Sequence, residues 1–367
     1  LIISSGKHPR VWKMSNVCVL FKGGNKPKNL PSSYRPLSLN SILGKVCESV
    51  FADSVYAQLE ERGFFSNCQG GFRKGIGCSE TLCYALERWY ATISRSGRHC
   101  GKCNVILNDV QKAFDRANHI SILWKAHFMA GIDGNLLLWI SDFLHARAQR
   151  TAYDGQYSSW RINPNGVPQG GVISVILYLI LQNDLPDWVS QECSMYADDT
   201  VIWSELPDEV DQIAALSYDM SMILRWSNLW RIDFHPGKTK WIRLGKSHNV
   251  NPPGSVSFGT KSDGTPRFLE QVDRGCLLGL EFDQKLTFRP HADAMITFLR
   301  KQLGFLKHIT KDLKGPKRAI LELLSKSMLF AKIDYAAEIW TCRCPAPCLN
   351  TITFLIKRLA KLCCGAM

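Results

Sequence analysis

The 367-residue sequence predicts an α+β fold, in which short apolar runs alternate with longer amphipathic stretches. Apolar runs at 193–195 and 200–203 are separated only by a tight turn, a pattern that predicts a β-hairpin. A third run at 105–107 leads into Asp109 and predicts a strand that ends on a carboxylate. Apolar residues at helical spacing after Pro207, and again beyond about residue 290, predict helices.

The helix after Pro207 is predicted to pack on the back of the sheet, because one apolar stripe runs along it. The stripe consists of Val210, Ile213, Leu216, Met220 and Ile223. The later helix has its own stripe, with basic residues among the polar positions, and Gly315-Pro316 is expected to end it. This second stripe consists of Ile296, Leu299, Leu303, Leu306 and Leu313.

Charge is distributed unevenly along the chain. Residues 1–45 carry eight Lys or Arg and no Asp or Glu, whereas residues 294–367 carry 13 basic and four acidic residues. The net charge of +13 therefore leaves −4 for the middle of the chain. Basic flanks around an acidic centre are typical of a protein that binds phosphate backbones while its carboxylates hold cations. A merely basic protein is the alternative.

The turn of the predicted hairpin, Tyr196-Ala197-Asp198-Asp199, brings two carboxylates to one point. Such hard oxygen ligands suit magnesium, which binds a few carboxylates together with substrate phosphates. Asp is also a common turn residue, so a solvated turn is the alternative. Asp109 adds a third carboxylate from a separate segment, as two-cation nucleotidyl transfer requires. Without metal, these groups would repel one another by roughly 1–4 kcal/mol per close pair, which disfavours a purely structural role.

Further motifs follow one another along nearly the whole chain. In order, they are Trp12-Lys13, Leu20-Phe21-Lys22, Tyr34-Arg35-Pro36-Leu37-Ser38-Leu39, Leu43-Gly44-Lys45 with Glu48, Gln69-Gly70-Gly71-Phe72-Arg73-Lys74-Gly75, the Asp109 segment, Gly166-Val167-Pro168-Gln169-Gly170, the Tyr196 hairpin, Gly237-Lys238-Thr239, and Leu278-Gly279-Leu280 with Asp283. One such motif would be weak. In this order they resemble the reverse transcriptases of non-LTR (LINE-type) retrotransposons, and most nearly the jockey-like group.

The resemblance implies a right-hand polymerase fold with fingers, an antiparallel palm sheet that carries the Tyr-Ala-Asp-Asp hairpin, and a helical thumb. The expected bounds are 1–104 for the fingers with part of the palm base, 105–289 for the palm with a fingers insertion around 125–165, and 290–367 for the thumb and the start of a C-terminal region. The implied activity is RNA-directed DNA polymerisation, a nucleotidyl transfer to a primer 3′ end by two-metal-ion catalysis. A decayed remnant that only binds nucleic acid and an intron maturase-type enzyme are the alternatives.

The resemblance also implies the catalytic residues. Asp109 and Asp198 would hold two Mg²⁺ ions, with Mn²⁺ as an alternative metal. Asp199 would be a supporting ligand, and the backbone carbonyl of Val110 would complete one coordination sphere. Lys238 would protonate the leaving pyrophosphate as the general acid.

Phe114 lies five residues after Asp109, at the position of the family's aromatic gate, which excludes a ribose 2′ hydroxyl. An ordinary core Phe is the alternative. Arg35 would contact the triphosphate, since its planar fork suits phosphate oxygens. The other implied nucleotide contacts are Lys22, Val110, Gln169, Gly170 and Tyr196. The implied nucleic-acid-binding residues of the thumb, which would contact backbone rather than bases, are Arg300, Lys301, Lys307, Lys311 and Lys314.

The fourteen cysteines are scattered without a signal peptide, which predicts free thiols in a reducing compartment. Clusters at 99–103 and 342–348 lack the second ligand pair of a zinc finger, so chance clustering is favoured over a zinc site. No apolar run is long enough to predict a membrane span.

The family implies an RNA template, a DNA primer and dNTPs as partners, and retrotransposon RNA as the natural template. The chain has no initiator Met, so we expect a piece of a longer polyprotein that includes or acts with an endonuclease. The expected location is intracellular, in a cytoplasmic ribonucleoprotein and in the nucleus during integration.

Three residues depart from the family pattern. Asn108 replaces an apolar residue before the first catalytic Asp, and Gly171 and Val175 replace Ser and Pro after the Pro-Gln-Gly loop. None of them removes a metal ligand. A buried Asn108 would cost roughly 1–3 kcal/mol if its amide were unpaired, so a folded but decaying copy is one expectation.

Overall fold

A computed structural model of the protein describes residues 5–24, 26–95, 101–245, 252–261, 263–310 and 316–363. The chain forms two compact units. The first unit comprises Leu1–Arg73, Asn108–Thr200 and Tyr218–Lys238, and the second comprises Lys74–Leu107, Val201–Ser217 and Thr239–Met367. These units do not test the expected bounds of fingers, palm and thumb, which stay predictions.

Helices and strands both occur throughout the described residues, as the sequence predicts. The strands are β1 (Met14–Phe21), β2 (Tyr34–Leu39), β3 (Lys102–Asp109), β4 (Ala148–Tyr153), β5 (Gln156–Tyr157), β6 (Arg161–Ile162), β7 (Glu192–Tyr196), β8 (Asp199–Trp203), β9 (Lys240–Gly245), β10 (Ser257–Thr260), β11 (Pro266–Phe268), β12 (Glu270–Val272), β13 (Arg274–Leu277) and β14 (Leu280–Asp283).

The α-helices are α1 (Ile42–Glu61), α2 (Cys78–Ser94), α3 (Ala113–Arg116), α4 (His119–Phe128), α5 (Gly134–Leu144), α6 (Val172–Gln182), α7 (Glu209–Trp230), α8 (Arg289–Ile309), α9 (Arg318–Ser325), α10 (Ala331–Asp334), α11 (Ala337–Trp340) and α12 (Ala346–Cys363). Short 3₁₀ turns cover Arg10–Lys13, Pro31–Ser33 and Leu185–Trp188, and a π-helical turn covers Lys326–Phe330. None of the helices in the described ranges is both long and apolar enough to cross a bilayer.

The first unit contains a sheet in which β1 pairs antiparallel with β2 and parallel with β4. The short strands β5 and β6 both pair antiparallel with β4. Helix α6 lies at the core of this unit, and it packs against α1 and α4. Almost every residue of α6 is apolar and buried, as expected of a helix enclosed on all sides. At its start, the buried carboxylate of Glu48 accepts a hydrogen bond from the Val172 backbone N–H at 2.7 Å.

The predicted hairpin and the predicted strand before Asp109 are both present. Strands β7 and β8 are joined by a two-residue turn, Ala197-Asp198, and Ala197 adopts a left-handed backbone conformation with φ of +55°. Strand β3 ends on Asp109 itself. Apolar residues of all three strands are buried, which explains why they formed readable runs in the sequence.

In the second unit the strands lie in the order β12-β9-β3-β8. Strand β3 pairs antiparallel with β9, with Val105 opposite Ile242, as expected for an antiparallel sheet. The expectation is wrong for the edge strand, because β12 pairs parallel with β9. The chain between them passes through the β10–β11 hairpin, and a connection of that length allows it to return in the same direction.

Both predicted helices are present, but the exposure of Val210 in α7 and the end of α8 differ from the prediction. In α7, Ile213, Leu216, Met220 and Ile223 are buried, but Val210, in the first turn of the helix, is 57% exposed. In α8 the stripe from Ile296 to Leu306 is buried, and Leu313 lies outside the described residues. The helix ends at Ile309, before Gly315-Pro316, so the predicted end was too late.

Candidate active site

The segment around Gln69 supports the turn between β7 and β8. In the sequence this segment was recognisable only as a family motif. The buried side chain of Gln69 accepts hydrogen bonds from the backbone N–H groups of Ala197 at 3.0 Å and Gly71 at 2.8 Å. The same segment continues the sheet beside β7, since Gly70 donates to the Met195 carbonyl at 2.8 Å and Met195 donates to the Cys68 carbonyl at 2.7 Å. The left-handed conformation of Ala197 is therefore fixed by contacts 128 positions away in the sequence.

Gly71 is required by a close approach of two backbones. A Cβ atom at this position would lie 2.2 Å from the Ala197 nitrogen and 2.9 Å from the Gln69 Oε1 atom. No side chain fits there unless the hairpin turn moves. The Gly-Gly pair was the sequence signal for this role, but the sequence does not tell which backbone approaches it.

The turn exposes two carboxylates that influence each other. Partial burial, followed by the neighbouring charges of Asp198 and Asp109, raises the pKa of Asp199 to about 6. Partial burial also raises the pKa of Asp198, again with a contribution from Asp109, and the positive charge of Arg35 partly opposes the rise. Both aspartates still reach solvent. The fold thus brings the three predicted metal ligands within electrostatic range of one another, with like charges facing each other.

These donors fit a hard divalent cation. Across the described residues, no three or more His, Cys, Asp or Glu side chains form a group that could hold a metal ion by themselves. Magnesium does not need such a group, because it usually binds one or two carboxylates and completes its shell with waters and substrate phosphates. A purely carboxylate and carbonyl donor set favours magnesium or manganese over zinc.

Lys238 lies beside the first of these carboxylates. Its Nζ atom is 3.3 Å from Asp109 Oδ2, and both side chains are open to solvent. Backbone contacts hold the two segments together, because His235 donates to the Asp109 carbonyl at 2.8 Å and Val110 forms a bridge with Phe234. Val110 is buried, directly after the metal-ligand candidate.

Phe114 is held in a defined orientation by a second aromatic ring. It stacks on Tyr178 with ring centroids 4.8 Å apart and an interplanar angle of 21°. Tyr178 is fully buried in α6, and its hydroxyl accepts a hydrogen bond from Gln182 at 2.6 Å. Burial, and secondarily the charge of Asp198, raises the pKa of the Tyr178 hydroxyl well above its ordinary value. Phe114 itself is half-buried, so one part of its ring remains available.

Gln169 and Gly170 lie beside the loop that carries Phe114. Gln169 donates to the Asp115 carboxylate at 3.2 Å, and its backbone carbonyl accepts from Ser38 at 2.8 Å. Gly170 has φ of +120°, and a Cβ atom there would lie 2.8 Å from the Ser38 carbonyl oxygen. A cavity of about 320 Å³ opens at this point, lined among others by Lys112, Asp115, Gln169 and Gln149.

The predicted triphosphate contacts lie on exposed parts of the same unit. Lys22 follows β1, and its Nζ donates to the Ser32 carbonyl at 2.8 Å. Partial burial lowers the pKa of Lys22, and the positive charges of Lys26, Lys238 and Arg35 lower it further. These basic groups therefore form one cationic cluster. Tyr196 lies half-buried at the end of β7.

The predicted thumb residues lie in the second unit. Arg300 and Lys301 are exposed on α8, and Lys307 is half-buried in its last turn. Lys311 and Lys314 lie outside the described residues, as do His99 and Cys100 of the first cysteine cluster.

Asn108 is buried directly before Asp109. It is 5% exposed, and neither its amide nitrogen nor its amide oxygen has a hydrogen-bond partner within the described part of the chain. Such a pair of unsatisfied groups costs roughly 1–3 kcal/mol. The energetic cost expected from an unpaired, buried Asn108 amide is therefore present in the structure.

Curated relatives share this chain's sequence along most of its length. It is 28% identical over 342 residues to the "Probable RNA-directed DNA polymerase from transposon BS" of Drosophila melanogaster, which covers 90% of this chain and 35% of the relative. It is 26% identical over 373 residues to the "RNA-directed DNA polymerase from mobile element jockey" of the same species, which covers 100% of this chain and 39% of the relative. The chain thus spans little more than a third of these relatives.

Among solved structures, the chain is similar to apo telomerase from Candida tropicalis. The TM-score is 0.50 at 10% sequence identity, and the likeness covers 98% of this chain and 64% of the telomerase chain. At this identity the likeness concerns the fold alone, a right-hand polymerase fold with mixed helices and sheets. The model of the family "Reverse transcriptase (RNA-dependent DNA polymerase)" matches residues 25–282. The match confirms the family predicted from the motifs, and the chain belongs to the reverse transcriptase family.

Proposed function

We propose that this chain is the polymerase part of a non-LTR retrotransposon protein and that it copies RNA into DNA by adding dNTPs to a primer 3′ end. One observation carries the proposal: in a member of this family, Asp109 lies close enough to Asp198 and Asp199 for its charge to raise the pKa of both. Groups that repel in this way gain from binding a cation. The division into fingers, palm and thumb is part of the same proposal.

Asp109 and Asp198 would hold two Mg²⁺ ions or their Mn²⁺ equivalents, with Asp199 and the Val110 carbonyl as supporting ligands. When bound, these ions would activate the primer hydroxyl and stabilise the leaving pyrophosphate. The chain's own residues position the other reactants. Gln69 and Gly71 fix the hairpin that carries two of the carboxylates, which limits the entropy lost on reaching the reactive geometry.

The nucleotide would be held by groups around these carboxylates. Lys22 and Arg35, in the cationic cluster, would bind the triphosphate. Phe114, supported by Tyr178, would meet the sugar at C2′ and exclude a ribose hydroxyl. Lys238 carries a proton 3.3 Å from Asp109 and would transfer it to the pyrophosphate as this leaves.

The partners follow from the same proposal. They are an RNA template, a DNA primer and dNTPs, with retrotransposon RNA as the natural template. The exposed basic residues of α8, including Arg300 and Lys301, would contact the duplex backbone. In the longer protein the polymerase would act with an endonuclease, inside the cell and in the nucleus during integration. The relatives named after a transposon and a mobile element support the retrotransposon origin in this proposal.

A second candidate function is a remnant that binds nucleic acid without copying it. Asn108 favours it, because an unsatisfied amide beside a catalytic carboxylate loosens the strand that positions Asp109. Such a protein would keep its fold and its basic surfaces.

Extension of a labelled DNA primer on an RNA template with Mg²⁺ separates the two functions. The wild-type chain should extend the primer, and Asp198→Asn should reduce the rate by about a thousandfold, since a metal-ion contribution of several kcal/mol is lost. Asp154→Asn, at an exposed turn, is the matched control and should retain activity. A folded wild type that binds template-primer without extending it would establish the remnant.

A further inference from the structure

The sheet formed by β1, β2 and β4 has two faces with different surroundings. Successive residues of a strand point to opposite faces. In β4, Gln149 lines the cavity beside Gln169 on one face. Its neighbour Ala148 lines a second, larger depression together with Met14 and Ile162. This second depression, called the outer groove here, is separate from the cavity beside Gln169 and has no part in the proposed chemistry.

The outer groove is wide and basic. Its volume is about 1020 Å³, and its lining includes Lys7, Arg10 and Lys13. The acidic residue of its lining is Asp142, whose carboxylate forms an ion pair with Lys13 at 2.8 Å. Lys7 and Arg10 remain exposed, so the groove presents net positive charge to solvent. A surface of this charge favours a polyanion.

An aromatic stack borders the groove. The guanidinium of Arg150 contacts two rings, 4.1 Å from the Tyr157 centroid and 4.7 Å from the Trp160 centroid, and Trp160 belongs to the lining of the groove. A hydrogen bond of 2.8 Å from Arg150 to the Asn16 side chain fixes its plane. Tyr157 and Trp160 are 57% and 40% exposed, so ring surface is left uncovered. Uncovered aromatic surface beside an ordered guanidinium provides stacking positions for bases.

A buried histidine, His8, also belongs to the lining of the groove. His8 is 3% exposed and packs edge-on against Trp139 and Phe143, yet neither of its ring nitrogens has a hydrogen-bond partner among the residues described. Burial, and secondarily the charges of Arg147 and Lys13, lowers the pKa of His8 to about 4. The ring is therefore neutral near pH 7 and adds no charge to the groove.

We propose that the outer groove is a second RNA-binding surface, which holds single-stranded RNA by stacking on Tyr157 and Trp160 and by contacts of Lys7 and Arg10 with its phosphates. The proposal rests on the proposed function only in the choice of RNA as the ligand. Basic side chains interleaved with exposed aromatic rings are the means by which proteins bind single strands without reading their sequence. An apolar protein partner would match the rings but not the charge.

The test is the binding of a fluorescein-labelled, unstructured 20-nucleotide RNA to the whole chain, followed by anisotropy over a series of salt concentrations. The double variant Tyr157→Ala/Trp160→Ala should raise Kd by about tenfold or more, given the usual stacking contribution per base. The double variant Lys7→Ala/Arg10→Ala should reduce the slope of log affinity against log salt by about 1.4, or about 0.7 for each lost phosphate contact.

The matched control is Tyr218→Ala/Arg225→Ala, which removes an exposed ring and an exposed charge from α7 in the same unit. Its Kd and salt slope should equal those of the wild type. Groove variants that bind RNA as the wild type does, with unchanged slope, would overturn the proposal and leave this face to another part of the longer protein. Extension of a primer with a two-nucleotide template overhang is measured in parallel. A wild-type chain that does not extend the primer would refute the proposed function. Groove variants that still extend the primer but bind RNA more weakly would support the second surface.

Discussion

Two sets of carboxylates in the first unit have opposite surroundings: one set is paired with protein donors, and the other faces like charges. Asp184 is buried, and it accepts hydrogen bonds from the Lys125 ammonium and from the Trp226 indole N–H, the latter at 3.0 Å. Asp219 is also buried, and it accepts from Ser190 and Gln191 at 2.8 to 2.9 Å. By contrast, the carboxylates of the β7–β8 turn face other carboxylates, and their pKa values rise.

The difference separates structural acids from the acids to which we assign a function. A buried carboxylate that serves the fold is matched by protein donors, since an unpaired buried charge is strongly destabilising. The carboxylates of the turn are left in mutual repulsion, although the chain supplies Lys125 and well-aligned backbone donors elsewhere. The charge of Arg35 compensates this repulsion only in part, and in the proposed function a divalent cation would supply the rest. The rigid support by Gln69 and Gly71 keeps the repelling groups from moving apart.

The structural side of the comparison is tested by replacing Asp184 with Ala. The change leaves the Lys125 ammonium buried without its counter-charge, and we expect a loss of about 3–5 kcal/mol in the free energy of unfolding, measured by urea denaturation. Asp53→Ala, on the exposed face of α1, should stay within about 0.5 kcal/mol of the wild type. Equal losses in the two variants would show that Asp184 has no special structural role.

The support of the proposed catalytic turn is tested by Gly71→Ala. The added methyl group would displace the turn by a distance on the order of 1 Å, and we expect about a hundredfold lower kcat in primer extension. Gly63 also has positive φ, but a Cβ atom there has open space, so Gly63→Ala is the matched control. The control should lose some stability and little activity. Full activity in Gly71→Ala would mean that the turn does not depend on this contact.

The comparison also explains what the sequence can predict. Strands β3, β7 and β8 and helices α7 and α8 were predictable, because each buries a local run or stripe of apolar residues. The family order of motifs predicts that Asp109, Asp198 and Asp199 share one site, and the structure brings the three carboxylates within electrostatic range. Local pattern therefore predicted these elements, whereas the roles of the three acids stay a prediction from the family resemblance.

Contacts between distant segments were not predictable in this way. The hydrogen bond from Ala197 to Gln69 and the stack of Phe114 on Tyr178 join segments that are separate in the sequence, and no local period records them. The parallel pairing of β12 is missed for the same reason, since pairing direction depends on the path of the connecting chain. The exposure of Val210 is likewise not recorded in the helical spacing, which places it on the same stripe as the buried residues.

The stacked pair of Phe114 and Tyr178 gives a third test, which concerns the proposed nucleotide site. Phe114→Ala would open space at the sugar, and we expect the preference for dNTPs over rNTPs to fall by roughly tenfold to a hundredfold in single-nucleotide addition. Tyr178→Phe keeps the stacked ring and loses only the hydroxyl, so it should keep the preference. Unchanged sugar discrimination in Phe114→Ala would assign Phe114 to the core alone.

The smallest predicted effect is that of the Asp199 carboxylate on the melting temperature of the chain. The pKa of Asp199 is raised to about 6, so its protonated form is favoured in the folded chain. That contribution is fully present below the ordinary Asp pKa of about 4 and is lost as pH rises through about 6. Metal-free Asp199→Asn should therefore melt about 1–2 °C above the wild type at pH 8, since solvent screens much of the repulsion, and should match it at pH 4.

Magnesium should reverse this order, because the wild-type carboxylate gains a cation that the amide binds poorly. Differential scanning fluorimetry at pH 8, with and without Mg²⁺, measures both effects in one experiment. Asp53→Asn, an exposed acid away from the turn, should melt like the wild type under all four combinations of pH and metal. A lower melting temperature for metal-free Asp199→Asn at pH 8 would place Asp199 with Asp184 among the structural acids, and the contrast between the two sets would no longer hold.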